Sequence, residues 1–250
     1  MEERPLAVLL KFPGTNCDAE TARALEAVGF VTEVLPVANL KASRLVGVSV
    51  VVFSGGFSYG DYVMAGRLAK LVTQQKIGDT LTEFRDNGGY LLGICNGLQI
   101  LTQLGLLPPG SLVENTSARF QCQWVTLENK SPTSPFLQGL PERFEFPIAH
   151  AEGRFVTAEA SEATGYLENG VAALTYADEI NGSFEQIAAL QDESGRVFGL
   201  MPHPERFLTP QDHYDPDWGE TASEHDGEKR GIGYSFFRSL YSSVTSQDSE

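Results

Sequence analysis

Over the first hundred residues the apolar positions come in short unbroken runs, separated by stretches with helical spacing. The runs "LAVLLKF" from Leu6, "VTEVLPV" from Val31, "SVVVFSGG" from Ser49 and "YLLGI" from Tyr90 read as strands. Between them "DAETARALEAVGF" spaces Ala22, Leu25 and Val28 three apart, with Asp18 as a candidate N-cap. Residues 66–87 and "LQILTQLGLL" from Leu98 continue the helical pattern. Strands that are apolar on both faces and alternate with amphipathic helices predict an α/β fold. The expected form is a single doubly wound, mainly parallel sheet with flanking helices.

After about residue 120 the helical stretches thin out and strand-like pieces follow one another: "QWVTLEN", "FEFPIAH", "AALTY", "IAALQD" and "VFGLMPH". These predict an antiparallel portion added to the main sheet. From Thr209 to Arg230 the chain is polar, acidic and aperiodic, and reads as a loop or a partly mobile insertion. Ile232, Phe236, Leu240 and Val244 then restore helical spacing, and residues 246–250 read as a disordered tail. The whole is read as one domain over residues 1–245.

Composition narrows the function. With 42% hydrophobic residues among 250, the chain can bury a sizeable core. Acidic residues outnumber basic ones by 33 to 18, a formal charge of −15, and no Lys/Arg cluster offsets it. A phosphate backbone is repelled by such a surface, which argues against nucleic acid as a partner. The apolar run in "MEERPLAVLLKFPG" is too short for a signal peptide or a membrane span, so a cytoplasmic protein without membrane attachment is expected. Cys17, Cys95 and Cys122 form neither a disulfide framework nor a CxxC pair and read as reduced thiols, with no metal site.

In an open α/β sheet, chemistry gathers at the carboxyl ends of the strands, where this chain carries "FPGTN", "SGGFSYGD" and "ICNG". In "GICNGLQ" a strand runs into Cys95 and a helix starts at Asn96. Gly93 and Gly97 permit the sharp turn that a nucleophile elbow needs. The thiol is expected to be exposed at the tip, its thiolate favoured by the helix N-terminus, with the Asn96 N–H aimed at an oxyanion. A packed core cysteine is the competing reading of that motif alone.

A second signal is "MPHPER", where flanking prolines predict a stiff, extended segment in which His203 and Glu205 face the same way. A carboxylate-oriented imidazole could then serve a distant thiol, although His-Pro-Glu by itself could be a plain turn. The third signal is the pair of glycines before Phe57 in "SGGFSYGD", which lets backbone N–H groups approach a bound carbonyl. That loop lacks the ending of a phosphate-binding loop. His213 and His225, among the acids of residues 209–230, have no metal-ligand spacing and read as part of a solvated loop.

With "FPGTNCD", "GGFSYGDYVMAG", "GICNGLQILTQLGLLP", "SARF", "AHAEGRF" and "GLMPHPER" in one chain, the sequence resembles class I glutamine amidotransferases, the Cys-His-Glu glutaminases. The likeness spans roughly residues 5 to 207 and resumes in the last helix. It implies Cys95 as nucleophile, His203 as general base and acid, and Glu205 as the residue that orients the histidine. It also implies an oxyanion hole at Gly56 and Asn96, and glutamine contacts from Gln99, Phe57, Arg119 and Phe120. His150 falls in a family motif, with structural, partner-facing and substrate roles all open.

The resemblance is most specific at "GGFSYGD", since other glutaminases of the class carry different residues after the two glycines, and it implies a branch whose ammonia goes to a separate synthetase subunit. The resemblance therefore implies L-glutamine as substrate and no cofactor in this chain. ATP and magnesium would be held by the synthetase, and a small third subunit would bridge the two. Other acceptors, a cysteine peptidase relative and a non-catalytic subunit remain as alternatives.

Overall fold

The computed structural model describes residues 4–12, 14–39, 41–56, 80–215, 222–225 and 227–247. In chain order the elements are β1 (Leu6–Lys11), α1 (Asp18–Val28), β2 (Val31–Pro36), β3 (Val48–Phe53), α2 (Thr80–Asp86), β4 (Tyr90–Ile94) and α3 (Asn96–Leu104). They continue with β5 (Ser111–Val113), β6 (Gln121–Asn129), β7 (Arg143–His150), β8 (Arg154–Val156), α4 (Ala160–Glu168), β9 (Ala172–Tyr176), β10 (Ile187–Gln191) and β11 (Val197–Leu200). Last come β12 (Ala222–His225), β13 (Glu228–Gly231) and α5 (Ile232–Gln247). Two compact units emerge, Met1–Pro109 with Gln191–Leu200, and Gly110–Leu190 with Met201–Glu250.

The first unit holds the parallel strands in the order β2-β1-β3-β4-β11. Leu9 pairs with both Val34 and Val52, and Leu200 with Ile94. β3 and β4 are buried almost throughout, which is why their sequences are unbroken apolar runs rather than alternating ones. The helical stripe of α1 is Thr21, Ala24, Leu25 and Val28, displaced from the expected stripe because Ala22 lies at its margin. Cys17, not Asp18, takes the N-cap position; Asp18 is the first helical residue and forms an ion pair with Lys11 Nζ at 2.7 Å. An acid there complements the helix dipole without capping it. The first part of the expected helix over residues 66–87 lies outside the described residues, and its end is α2.

In the second unit the strand order is β10-β9-β6-β7, all antiparallel. β7 alternates, turning Phe144, Phe146, Ile148 and His150 inward. Phe236 of α5 packs on Phe136 and Phe146, with ring centroids 6.2 and 6.3 Å away. An α/β fold with a parallel core and an antiparallel portion is thus what the sequence pattern predicts.

The segment from Thr209 to Arg230 departs from the expected loop. Pro210–Asp212 forms a capped turn, and β12 and β13 pair as a hairpin. His213, read as solvated, is 4% exposed; its Nε2 bonds Glu145 Oε2 at 2.9 Å and its ring lies against Trp124. Acid-rich composition hid a buried hydrogen-bonded imidazole, because composition does not show which polar residue finds a partner. α5 continues to Gln247, into the segment read as a tail. Among the described residues no helix is long and apolar enough to cross a membrane.

Candidate active site

The first unit carries Cys95, Asn96 and Gly56, and the second carries His203 and Glu205. In the first, β4 ends at Ile94 and α3 begins at Asn96, so Cys95 alone makes the turn. Its backbone is in the left-handed half of the map, with φ 52° and ψ −106°. For a residue with a β-carbon this is strained, of order 1–3 kcal/mol, and it persists only where the surroundings enforce it. They do so through the glycines. A β-carbon on Gly97 would lie 1.9 Å from the Phe53 carbonyl oxygen, and one on Gly93 would lie 2.6 Å from the Gly97 carbonyl. Helix α3 therefore sits directly on β3 and β4. The Cys95 N–H donates to the Leu200 carbonyl at 2.7 Å, fixing the elbow from β11.

The thiol is not exposed as expected: Cys95 is 8% accessible. The close helix–strand packing that creates the elbow also encloses it. As the first helical residue, Asn96 has an N–H with no intrahelical acceptor. Its side-chain Nδ2 donates to Gln99 Oε1 at 2.9 Å, so two residues expected at the substrate are tied together.

Gly56 follows β3, the strand beside β4, and so lies at the same carboxyl edge as Cys95. Its φ of 131° suits glycine, and a β-carbon there would be 2.6 Å from the Asn16 backbone nitrogen. Gly56 also bridges to Thr15, so the loops after β1 and β3 hold each other. Phe57 lies outside the described residues.

The second unit brings His203 and Glu205 together. His203 Nδ1 is 2.7 Å from Glu205 Oε1, with His203 1% and Glu205 4% exposed. The carboxylate accepts, so Nδ1 carries the proton, which leaves Nε2 as the ring nitrogen that gains and loses a proton, the arrangement a general base requires. The pairing arises differently from the extended segment expected. Pro204–Arg206 is a 3₁₀ turn, with His203 at its N-cap and Pro204 in the first turn, where a missing N–H costs nothing. The His203 N–H donates to the Pro147 carbonyl of β7 at 2.8 Å. A β-carbon on Gly233 would lie 2.0 Å from the Pro204 carbonyl, so the start of α5 is pressed against this turn.

His150 is 3% exposed, which removes a partner-facing role. Burial first, and the neighbouring His203 second, push its pKa down to about 4. Arg119 and Phe120 stand exposed on the loop before β6, Phe120 at 49%. Sequence reasoning missed three supports: Asn115, the Asn16 contact to Gly56, and the Gly231–Gly233 approach to the His203 turn. "GIG" at the start of a helix was the one available signal, since glycine there is unfavourable unless a neighbour needs the space.

A strand–cysteine–helix elbow with two enforced glycines, and a buried His–Glu pair, are the features expected of the glutamine amidotransferase class. The chain belongs to the family of CobB/CobQ-like glutamine amidotransferase domains, which matches residues 4–241. Within it, the chain is similar to the phosphoribosylformylglycinamidine synthase subunit PurQ of Dehalococcoides mccartyi, 38% identical over 237 residues, covering 88% of this chain and 92% of that one. The same subunit of Thermotoga maritima is 38% identical over 205 residues, covering 81% and 88%. Among solved structures, a chain of PurLQS from Thermotoga maritima matches with a TM-score of 0.77 at 33% identity, covering 96% of this chain and 99% of that one. A further glutamine amidotransferase from Thermotoga maritima, 15% identical with a TM-score of 0.60, shares the fold.

Proposed function

We propose that this chain is the glutaminase subunit of a phosphoribosylformylglycinamidine synthase. It hydrolyses L-glutamine to glutamate and ammonia. The ammonia serves a separate synthetase subunit that converts formylglycinamide ribonucleotide into formylglycinamidine ribonucleotide in purine (IMP) biosynthesis. The observation that carries the reading is the Cys95 elbow, a nucleophile-type residue held at φ 52° at the N-terminus of α3. The similarity to PurQ subunits over most of the chain supports the acceptor.

In this mechanism Cys95 Sγ attacks the side-chain carbonyl carbon of glutamine, forming the C–S bond and placing negative charge on the amide oxygen. The N–H groups of Gly56 and Asn96 donate hydrogen bonds to that oxyanion, at the edge where β3 and β4 end. His203 Nε2 takes the thiol proton and returns it to the departing nitrogen, while Glu205 holds Nδ1–H at 2.7 Å. A water deprotonated by His203 then cleaves the thioester and releases glutamate.

Gln99, Phe57, Arg119 and Phe120 contact the glutamine. ATP and magnesium belong to the synthetase, and a small third subunit bridges the two. Cys17, Cys95 and Cys122 form no disulfide, in keeping with a cytoplasmic setting. Ammonia released without an acceptor is lost, so glutamate release is expected to be low alone and to rise with the loaded synthetase. The test compares glutamate release by this protein and by Cys95→Ala, with purified synthetase, ribonucleotide and ATP. Stimulated release that the substitution abolishes supports the reading. Release that is identical with and without the synthetase mixture contradicts the coupling.

A further inference from the structure

One buried amide organises the part of the second unit that carries the exposed Arg119 and Phe120. Asn115 is 2% exposed, and its side chain makes four hydrogen bonds. Nδ2 donates to the carbonyls of Arg119 and His150, both at 2.9 Å. Oδ1 accepts the Gly153 N–H at 3.2 Å and lies 3.1 Å from His150 Nδ1. Since Oδ1 is an acceptor, Nδ1 of His150 is the protonated nitrogen. An amide has two donors and two acceptor sites, so Asn115 is fully used.

The β6–β7 ladder brings Gln121 opposite His150, and Asn115 extends that register to three pieces outside it: the loop of residues 115–119, the end of β7 and the turn after it. The main chain of Asn115 adds bonds to Ala151 and from Ala118, at 2.9 and 2.8 Å. Ala118 sits at φ 51°, a conformation that a residue with a β-carbon holds only when its surroundings impose it. The far side is stitched as well, with Thr116 N–H on the Asn181 carbonyl at 3.1 Å and Asn181 Nδ2 on the Gly153 carbonyl at 2.8 Å. This much internal bonding beneath an exposed arginine and phenylalanine is what a rigid presenting surface requires.

We propose that Asn115 is a positioning residue for glutamine binding, whose single amide sets the conformation of the Arg119–Phe120 loop together with the orientation of His150. The inference rests on the glutaminase reading and on Arg119 and Phe120 facing the substrate. It says that Asn115 acts through that loop and leaves the chemistry at Cys95 alone.

Glutamate release is measured against glutamine concentration in the complex with the loaded synthetase, for Asn115→Ala and Asn115→Asp, with thermal melts to confirm folding. Aspartate keeps the acceptor side and loses both donated bonds. In either folded variant KM for glutamine is expected to rise about tenfold, the scale of one or two lost hydrogen bonds, with kcat changed less than about threefold. Alkylation of Cys95 by iodoacetamide should keep its unsubstituted rate. On an Arg119→Ala/Phe120→Ala background the Asn115 substitution should raise KM no further, because the loop through which it acts is already disabled.

KM within about twofold of the unsubstituted protein overturns the proposal, as does an undiminished rise on the double-substituted background. A merely structural role would lower the folded fraction and leave KM unchanged. If the alanine variant does not fold, the aspartate variant carries the same readout. No glutamate release from the unsubstituted complex would instead defeat the glutaminase reading itself.

Discussion

Gly97→Ala puts the two main effects acting on the elbow in opposition. Gly97 lies inside α3, where helix propensity alone favours alanine over glycine by about 0.5–1 kcal/mol. The structure argues the other way: the new methyl carbon would be 1.9 Å from the Phe53 carbonyl oxygen and 2.8 Å from its carbonyl carbon. Ordinary contact between such atoms is roughly 3.3 Å, close to the well for non-bonded heavy atoms, so α3 has to shift by about an ångström. Neither neighbour can yield cheaply, because the oxygen belongs to the backbone of buried β3. Overpacking of this kind costs about 1–3 kcal/mol, which outweighs the propensity gain.

The shift also reaches the proposed site, since Cys95, Asn96 and Gln99 ride on the same helix end. A misplacement of about 1 Å at reacting groups lowers rates about a hundredfold. Gly105→Ala is the control: a β-carbon there meets nothing within 4 Å, and only its φ of 72° is strained. Urea midpoints and glutamate-release rates for both variants give the answer. Gly97→Ala is expected to lose stability and about two decades of kcat, and Gly105→Ala about 1 kcal/mol with activity intact. A Gly97→Ala protein at least as stable as the parent, with normal turnover, would refute the argument that close packing builds the elbow.

Two further outcomes follow from the second unit. Glu205→Gln removes the anion that fixes and charges His203 while keeping the side chain's shape, and should lower kcat about 10²–10⁴-fold in the glutamate-release assay; a loss under threefold would rule out the orienting role. His150 takes up its proton near pH 4 when folded and near 6.5 when unfolded, so acidification through that window favours the unfolded chain. The difference corresponds to about 3 kcal/mol of stability present above pH 6.5 and withdrawn as pH falls towards 4. His150→Asn, which does not titrate, should show a shallower loss of urea-unfolding free energy between pH 7 and 5.5, and parallel curves would contradict the assignment.

What was legible in the sequence depended on how locally each feature is determined. β3 and β4 were plain because burial on both faces leaves an unbroken apolar run. Cys95 stood out because an elbow needs glycines at fixed offsets, and both are within two residues of it. The His203–Glu205 pairing was also visible, but its backbone was misread. Prolines that suggested an extended segment instead start a 3₁₀ turn, which Pro147 and Gly233 hold from far along the chain. His213 and Asn115 were invisible for the same reason, as their partners Glu145, His150 and Gly153 are 35 to 68 residues away. Side-chain hydrogen bonds at that separation leave no periodic trace.

The proposed mechanism makes Cys95 the nucleophile for glutamine. Its most direct test is incubation of the protein, in complex with its loaded synthetase, with an electrophilic glutamine analogue, followed by peptide mapping by mass spectrometry. A single covalent adduct is expected on Cys95, blocked by excess L-glutamine and matched by loss of glutamate release, with Cys17 and Cys122 unmodified. An adduct on another cysteine, or full glutaminase activity after complete modification of Cys95, would contradict it.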